Sequence, residues 1–306
     1  MKKVAIIGGT GLIGRPLANQ LAADGFIPVI VSRRKSIHEL GFPPIVKHIQ
    51  WDGISSGELA AELSGFYGVI NLAGEGIGDK LWNPNRKKQL LESRYGITKN
   101  LVSALALMHK KPKVLIQGSA VGYYGPKAEE AHEGSPNGKG FLAELSFLWE
   151  SAAYNSETLN IRTVYIRTGI VLSNIGGAFP KLVLPFKWFV GGNVGSPSRM
   201  IPWIHIDDEV QAISFILNTS SIHGAVNLVA PVPCTQRELN TAMAHNLRKP
   251  YWMRIPAFLF KILPGDMGKE LLLSDQSIYP TVLRDSGYRF QFETIEKAVE
   301  NLIHGS

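Results

Sequence analysis

The glycines near the amino terminus are the first residues of this chain whose spacing suits a chemical task, namely holding an anion. Gly8, Gly11 and Gly14 recur at every third position, after the apolar run Val4–Ile7 and before the helix-compatible stretch Arg15–Ala23. Such a turn presents backbone N–H groups and the positive end of a helix dipole to a pyrophosphate. We therefore expect a dinucleotide to bind at Gly8, Thr10, Gly11, Leu12, Ile13 and Gly14.

Basic residues follow the second apolar run, and they decide which dinucleotide is expected. The run Ile27–Val31 leads into Ser32, Arg33, Arg34 and Lys35, with no acidic residue among them. An NAD site needs a carboxylate here for the ribose 2′-hydroxyl, whereas a 2′-phosphate needs cations. We predict NADP(H), bound by Ser32, Arg33 and Arg34, with Arg33 as the first contact to the phosphate. A solvated basic turn is the alternative.

Composition and charge narrow the class of protein further. The chain has 306 residues and a net charge of +7, with its basic residues scattered, so small anionic ligands explain the charge and no nucleic-acid partner is predicted. Its single cysteine, Cys234, excludes an intrachain disulfide and a multi-cysteine metal cluster. No apolar run approaches the ~20 residues of a membrane span. We expect a cytoplasmic protein with no metal site and no membrane partner, while its oligomeric state stays open.

Apolar runs alternate with helix-compatible stretches, which predicts an α/β fold with a doubly wound parallel sheet. The predicted strands are Val4–Ile7, Ile27–Val31, Val46–Trp51, Gly68–Gly74, Lys113–Gln117, Thr163–Arg167 and Ala225–Val229. The predicted helices are Arg15–Ala23, Gly57–Leu63, Asn85–Met108, Phe141–Tyr154, Ile206–Leu217, Gln236–Asn246, Ala257–Leu263 and Ile295–Leu302. We expect a Rossmann domain over 1–175, with a later contribution from about 205–230. A smaller, mainly helical substrate lobe would take 176–204 and 231–306.

Four further motifs allow a comparison with a known family. Asn71–Gly74, Ser119–Gly125, Arg167–Gly169 and Trp203–Asp208 resemble, in order and spacing, the signatures of extended short-chain dehydrogenases/reductases of the nucleotide-sugar epimerase branch. The resemblance is closer still to the atypical group called epimerase family proteins, and it covers essentially the whole chain. It implies a Rossmann fold, a nicotinamide cofactor and a small-molecule substrate, for which a nucleotide sugar is one candidate.

The resemblance also implies further cofactor contacts. Leu72, Ala73 and Gly74 would approach the adenosine or the nicotinamide ribose through backbone groups. Arg94 would reach the phosphates or the 2′-phosphate. Asp52, after the third predicted strand, is a candidate acceptor for the adenine amino group. A structural role is the alternative for each of these residues.

The catalytic side chains of that superfamily are a serine or threonine, a tyrosine, and a lysine four residues after the tyrosine, and here this chain departs from the pattern. Ser119 occupies the serine position. The register set by Trp149 and Glu150 places Leu142 and Ser146 where the tyrosine and lysine are expected. Neither can replace them, because Leu142 has no proton to give and Ser146 carries no charge to lower a tyrosine pKa.

Proton transfer would therefore need other side chains. Tyr123 and Tyr124 lie just beyond Ser119, and Glu144 lies on the helix expected to face the site. These four residues are the catalytic candidates, with the tyrosines favoured and a packing role as their alternative. Two functions stay open: an NADP(H)-dependent oxidoreductase or epimerase acting at a carbonyl or carbinol carbon, and a catalytically silent NADP(H)-binding sensor or scaffold.

Overall fold

Strands and helices alternate through the computed structural model, which describes residues 1–251, 253–255 and 267–305. The strands are β1 (Lys3–Ile7), β2 (Ile27–Ser32), β3 (Lys47–Gln50), β4 (Gly68–Asn71), β5 (Val114–Ala120), β6 (Lys127–Ala131), β7 (Arg162–Thr168), β8 (Ile170–Leu172), β9 (Gly192–Val194), β10 (Met200–Ile201), β11 (Trp203–His205), β12 (Gly224–Leu228), β13 (Cys234–Thr235), β14 (Met253–Ile255) and β15 (Asp275–Ile278). The helices are α1 (Gly14–Ala23), α2 (Ser56–Leu63), α3 (Pro84–Leu91), α4 (Ile97–Leu107), α5 (Phe141–Ala153), α6 (Phe179–Lys187), α7 (Ile206–Asn218), α8 (Gln236–Leu247), α9 (Thr281–Asp285) and α10 (Ile295–His304).

One seven-stranded sheet organises the fold, with the strand order β12-β7-β5-β4-β1-β2-β3. All of its neighbouring strands are parallel. The chain winds outward from β1 to β3, then returns to the other side of β1 and continues from β4 to β12. Ligands of such sheets bind beyond the carboxyl ends of the strands where this winding reverses. The predicted α/β doubly wound parallel sheet is confirmed.

Apolar strands explain why helices cover both faces of the sheet. Val4, Ala5 and Ile6 of β1 are completely buried, as expected for a parallel sheet that is shielded on each side. On one face these strands pack against α1 and α7, and on the other against α2 and α4. A glycine turn at the end of β1 is therefore delivered from a rigid core.

The predicted helix Asn85–Met108 is interrupted in the structure. A π-helical turn, Glu92–Gly96, separates α3 from α4. Such a turn re-aims side chains relative to a continuous helix, and π turns are frequent at functional sites. Here it brings the guanidinium of Arg94 into the interior, where only 7% of the residue is exposed.

The carboxyl-terminal part of the chain adds small strand pairs and helices around the sheet. β6 pairs with β15, and β10 pairs with β13, while α8 packs against α10 in a separate apolar cluster. The predicted helix Ala257–Leu263 lies outside the described residues. The sequence also missed α6, whose stretch contains two prolines. Among the described helices, none is both long enough and apolar enough to cross a membrane.

Candidate functional site

The glycine turn after β1 has close neighbours that exclude larger residues. Gly8 has a φ of +78°, and a Cβ built there would lie 2.8 Å from the carbonyl carbon of Leu72. A Cβ on Gly14 would lie 2.5 Å from the Cα of Gly9. Both contacts are with backbone atoms, which cannot move aside as the end of a side chain can. The turn therefore needs glycine for its close packing against the end of β4 and against itself.

The same turn presents free N–H groups at the start of α1. The N–H of Gly11 donates to the carbonyl of Gly8 at 3.0 Å, which closes the turn. The N–H groups of Thr10, Leu12 and Ile13 have no hydrogen-bond partner among the described residues. Unpaired N–H groups at a helix N-terminus bind phosphate oxygens. This geometry fits the diphosphate of a dinucleotide.

The basic residues after β2 lie beside this turn. The N–H of Gly8 donates to the carbonyl of Val31 at 3.4 Å, which ties the turn to the end of β2. The Ser32 hydroxyl accepts from the N–H of Arg34 at 3.3 Å. Arg33 and Arg34 are exposed, and neither has an ion-pair partner in the part of the chain that the structure describes. Their charges are therefore available to a ligand.

Asp52 closes the turn that leads into α2. Its Oδ1 accepts from the N–H groups of Ser55 and Ile54 at 2.8 and 2.7 Å, and its Oδ2 accepts from the Ser55 hydroxyl at 2.8 Å. The N–H of Ser55 foremost, and then that of Ile54, lower the pKa of this carboxyl. The predicted contact to an adenine amino group would have to use the remaining lone pairs of this carboxylate.

A buried polar network fixes the segment after β4. The Asn71 amide donates to Thr98 Oγ1 and to Gln117 Oε1, each at 3.0 Å, and its Oδ1 accepts from the N–H of Ala73 at 3.2 Å. The indole of Trp149 donates to the same Thr98 hydroxyl at 3.2 Å. The network thus couples the predicted cofactor segment Leu72, Ala73 and Gly74 to helix α5.

A cavity of about 160 Å³ lies beyond the carboxyl ends of β5 and β7. Most of its walls are apolar, and engineered apolar cavities of roughly this size accept a benzene ring. Its lining residues are Ile77, Arg94, Ala120, Val121, Gly122, Gly125, Pro126, Leu142, Leu145, Ser146, Trp149, Thr168, Gly169, Ile170, Pro202, Glu270, Leu271, Ser274 and Gln276.

Leu142 and Ser146, the positions where a tyrosine and a lysine were expected, both line this cavity. The residue of β5 that lines it is Ala120, while Ser119 is buried outside it. Glu144, in contrast, is exposed on α5 and lies outside the lining. The cavity therefore occupies the expected reaction site but lacks the expected proton-transferring side chains.

Ser119 belongs to a buried ion-pair network instead. Its hydroxyl donates to Glu150 Oε1 at 2.6 Å, and the Arg167 guanidinium donates to both oxygens of that carboxylate at 2.8 and 2.9 Å. Arg167 also donates to the Tyr124 hydroxyl at 3.0 Å and stacks on the Tyr123 ring at 3.4 Å. Burial opposes the charge on Arg167, but the bonds to Glu150 outweigh it and raise the pKa of this guanidinium.

The two tyrosines are therefore held within the network and away from the cavity. The Tyr124 hydroxyl donates to Asn227 Oδ1 at 2.7 Å, and burial raises its pKa. Neither Tyr123 nor Tyr124 lines the cavity. A phenol with a raised pKa is a poorer base at neutral pH, so this environment opposes the activation that a neighbouring lysine would provide.

Four cavity residues come from the carboxyl-terminal part of the chain and were missed by the sequence reasoning, namely Glu270, Leu271, Ser274 and Gln276. The Glu270 carboxylate accepts from the N–H groups of Phe141 and Leu142 at 2.9 and 2.7 Å, which caps α5. Gln276 donates to the carbonyls of Val121 and Gly125 at 3.1 and 2.6 Å. Both join sequence-distant segments, and no local motif marks either residue.

A buried carboxyl lies behind one further cavity residue. Thr168 Oγ1 is 2.8 Å from Glu209 Oε1 on the first turn of α7. Glu209 is completely buried, and its Oε2 has no hydrogen-bond partner among the described residues. Burial raises the pKa of this carboxyl to about 8. Thr168 thus connects the cavity to a group that is largely uncharged at neutral pH.

Comparison with known proteins identifies the family to which the chain belongs. Residues 4–228 match the model of the NAD-dependent epimerase/dehydratase family. The chain belongs to this family. Residues 255–302 match a second model, described as a domain of unknown function. The NAD dependence in the description of this family is consistent with the glycine turn.

Several relatives match this chain over nearly its whole length. An epimerase family protein of Staphylococcus aureus is 33% identical over 307 residues, covering 99% of each chain. The epimerase family protein YfhF of Bacillus subtilis is 32% identical and covers 98% of this chain and 97% of its own. The crystal structure of human epimerase family protein SDR39U1 with NADPH has a TM-score of 0.88 at 31% identity, covering 99% of this chain and 100% of the human one. The predicted membership of the epimerase family proteins is confirmed.

Proposed function

We propose that this protein is an NADP(H)-dependent oxidoreductase that acts on a carbonyl or carbinol carbon of a small molecule in the cavity. Two neighbouring features carry the proposal. The glycine turn after β1 has N–H groups without a hydrogen-bond partner among the described residues, and the basic residues at the end of β2 have no ion-pair partner there. The human relative that resembles this chain along its whole length was crystallised with NADPH. When bound, NADP(H) would supply the redox equivalent, and reduction is the favoured direction.

The cofactor would be held by groups from three strand ends. The N–H groups of Leu12 and Ile13 would bind the diphosphate, and Gly8, Thr10, Gly11 and Gly14 shape the turn around it. Ser32, Arg33 and Arg34 would bind the 2′-phosphate, because Arg33 and Arg34 have no competing carboxylate. Leu72, Ala73 and Gly74 would border the nicotinamide half, next to the cavity.

Proton transfer is assigned to Thr168 rather than to Ser119, Tyr123, Tyr124 or Glu144, because only Thr168 of these lines the cavity. Its hydroxyl would give a proton to the reacting oxygen. In the structure Thr168 donates to Glu209 Oε1 at 2.8 Å. For the transfer this hydrogen bond would reverse, and the protonated Glu209 carboxyl would replace the proton that Thr168 gives up. A carboxyl whose pKa lies near 8 is suited to this task at neutral pH.

A titration with each coenzyme tests the cofactor proposal. Calorimetry should show NADPH binding at least tenfold more tightly than NADH, since a hydrogen bond to a charged group contributes about 1.5–3 kcal/mol. Arg33→Ala should remove most of that preference and leave NADH binding unchanged. Arg284→Ala, which removes a positive charge from an exposed position on α9, is the matched control. Equal affinity of the wild type for both coenzymes would refute the preference for NADP(H).

A catalytically silent NADP(H) sensor is the second candidate, favoured by the presence of Ala120, Leu142 and Ser146 in the cavity. The two functions differ in one measurement. NADPH absorbance is followed over a panel of aldehydes, ketones and nucleotide sugars with wild type and with Thr168→Val. Turnover that Thr168→Val abolishes supports the enzyme, while NADPH binding without any turnover supports the sensor.

A further inference from the structure

Arg94 is a buried cation on the cavity wall that forms no direct ion pair with a carboxylate of the described residues. Its Nη2 donates to the carbonyl of Glu75 at 2.9 Å, and its Nη1 lies 3.3 Å from the carbonyl of Leu90 and from the Ser93 hydroxyl. The Glu75 carboxylate is paired with Arg86 instead. Among the described residues no carboxylate forms an ion pair with Arg94.

The surroundings of Arg94 make that charge costly in the absence of a ligand. The guanidinium carbon lies 5.0 Å from the centre of the Trp149 ring, and a Cβ on Gly74 would lie 3.0 Å from it. Burial foremost, and then the charge of Arg86, lower its pKa to about 10, while the nearby Glu75 carboxylate only partly offsets them. A buried guanidinium that stays charged is stabilised by an anion with matching geometry.

The position of Arg94 relative to the sheet separates it from the basic turn that the 2′-phosphate would use. Arg33 and Arg34 follow β2, on one side of β1, whereas Arg94 contacts the segment after β4, on the other side. It shares the cavity with Leu142 and Trp149. An anion bound by Arg94 would therefore lie in the substrate cavity.

Glu270, the other charged residue in the cavity lining, does not oppose the binding of an anion by Arg94. Both oxygens of Glu270 accept N–H groups at the start of α5, where the positive end of the helix dipole compensates a carboxylate. The remaining walls are mainly apolar, including Ile77, Leu145 and Ile170. The cavity thus offers one available cation inside a ring-sized apolar space.

We infer that the substrate is a small monoanion, with an apolar body about the size of one ring and a carboxylate that Arg94 binds, rather than a nucleotide sugar. The reaction that this substrate would undergo rests on the proposed function. The binding of the anion by Arg94 does not. Arg94 would orient the substrate so that its carbonyl or carbinol carbon lies toward Thr168 and the nicotinamide side of the cavity.

The inference is tested by binding benzoate and phenylacetate, with benzyl alcohol as the neutral counterpart. Calorimetry and ligand-observed NMR are run on the full-length protein, with and without saturating NADPH. The wild type should bind the two carboxylates at least tenfold more tightly than the alcohol, as expected for a hydrogen-bonded charge pair of about 1.5–3 kcal/mol. Equal binding of benzoate and benzyl alcohol would overturn the inference.

Two variants separate a substrate role of Arg94 from a cofactor role. Arg94→Met keeps an unbranched side chain similar to the apolar stem of arginine but removes the guanidinium. It should weaken benzoate about tenfold or more while benzyl alcohol and NADPH bind as before. Arg162→Met, at a half-buried arginine whose guanidinium binds carbonyls of Ile216, Leu217 and Ile222, is the matched control. Loss of NADPH affinity with benzoate binding intact would show that Arg94 contacts the cofactor, and would overturn the inference.

A third variant guards against misfolding of Arg94→Met. Leu142→Phe fills the cavity without changing any charge, and should weaken benzoate and benzyl alcohol alike while NADPH still binds. Unchanged benzoate binding in Leu142→Phe would place the anion outside the cavity and refute the assignment. Failure of the wild type to bind NADPH would refute the proposed function, while the benzoate measurements would still decide the role of Arg94.

Discussion

The glycine turn after β1 and the cavity beside α5 are built in different ways. The turn is made of backbone atoms within Gly8–Gly14, closed by contacts with the ends of β2 and β4. The cavity is made of side chains from sequence-distant segments, among them Arg94, Ser146, Thr168 and Glu270. The first arrangement matches the family pattern, whereas the second departs from it. The turn and the cavity therefore depend on different residues, and a substitution in one need not alter the other.

The largest effect on cofactor binding that we predict falls on the glycine turn. Gly14→Val would place side-chain carbons within 2.5 Å of the Gly9 Cα, so the turn must open and its N–H groups must leave the diphosphate. We expect NADPH affinity to fall by more than about 100-fold, or roughly 2.7 kcal/mol, as measured by calorimetry.

A second glycine gives the matched control for that substitution. Gly57 lies in α2, and a Cβ there meets nothing within 4 Å. Gly57→Ala should leave NADPH binding unchanged and stabilise the protein slightly, because alanine is favoured over glycine inside a helix. Normal NADPH binding by Gly14→Val would show that the turn is not the cofactor site.

The Ser119–Glu150–Arg167 network should affect stability rather than cofactor binding. Glu150→Gln leaves the charge of Arg167 buried without its counter-ion, and removing one partner of a buried pair costs about 3–5 kcal/mol. We expect the free energy of unfolding in urea to fall by about 3 kcal/mol. Glu144→Gln, at an exposed site on the same helix, should change it by less than about 0.5 kcal/mol. Equal effects of the two substitutions would contradict the burial of this ion pair.

Glu209 predicts how stability depends on pH. Burial raises the pKa of its carboxyl from 4.5 to about 8, so between these values the folded state binds more protons than the unfolded state. Its contribution is complete below pH 4.5 and is lost as the pH rises through 8, a change on the order of 4 kcal/mol.

Urea unfolding at pH 5 and pH 8 measures this contribution. Glu209→Gln should lose less stability than the wild type over that interval, because glutamine does not titrate. Glu58→Gln, at an exposed site on α2, should follow the wild-type pH dependence. A Glu209→Gln profile parallel to that of the wild type would mean that Glu209 is charged in the folded protein.

The same contrast between backbone and side chains explains which parts of the structure could be predicted from the sequence. The strand-turn-helix pattern of Val4–Ala23 and the strands of the main sheet could be predicted, because they depend on local apolar periodicity and on glycine spacing. The register of α5 was also readable, and Leu142 and Ser146 both reach the cavity. These features lie within single continuous segments.

The remaining features depend on contacts that no local pattern records. Nothing in the run Asn85–Met108 marks the π turn that brings Arg94 inward. Glu270 reaches α5 from more than a hundred residues away, and Glu209 acquires its raised pKa only because the fold buries it. Glu144 lies on the predicted helix but is exposed outside the cavity lining, because a position on a helix does not by itself fix the face on which a side chain lies.

The smallest predicted effect on turnover concerns the two tyrosines that the sequence favoured as proton donors. Tyr123→Phe keeps the ring on which Arg167 stacks and should leave both turnover and stability within experimental error of the wild type. Tyr124→Phe removes the hydroxyl between Arg167 and Asn227 and should cost about 1–3 kcal/mol of stability, with the rate of NADPH oxidation unchanged. The rate is measured with any carbonyl compound that the wild type reduces. If either variant lost turnover while Thr168→Val kept it, the proton would come from the Arg167 network, and the cavity would bind the substrate without supplying its acid.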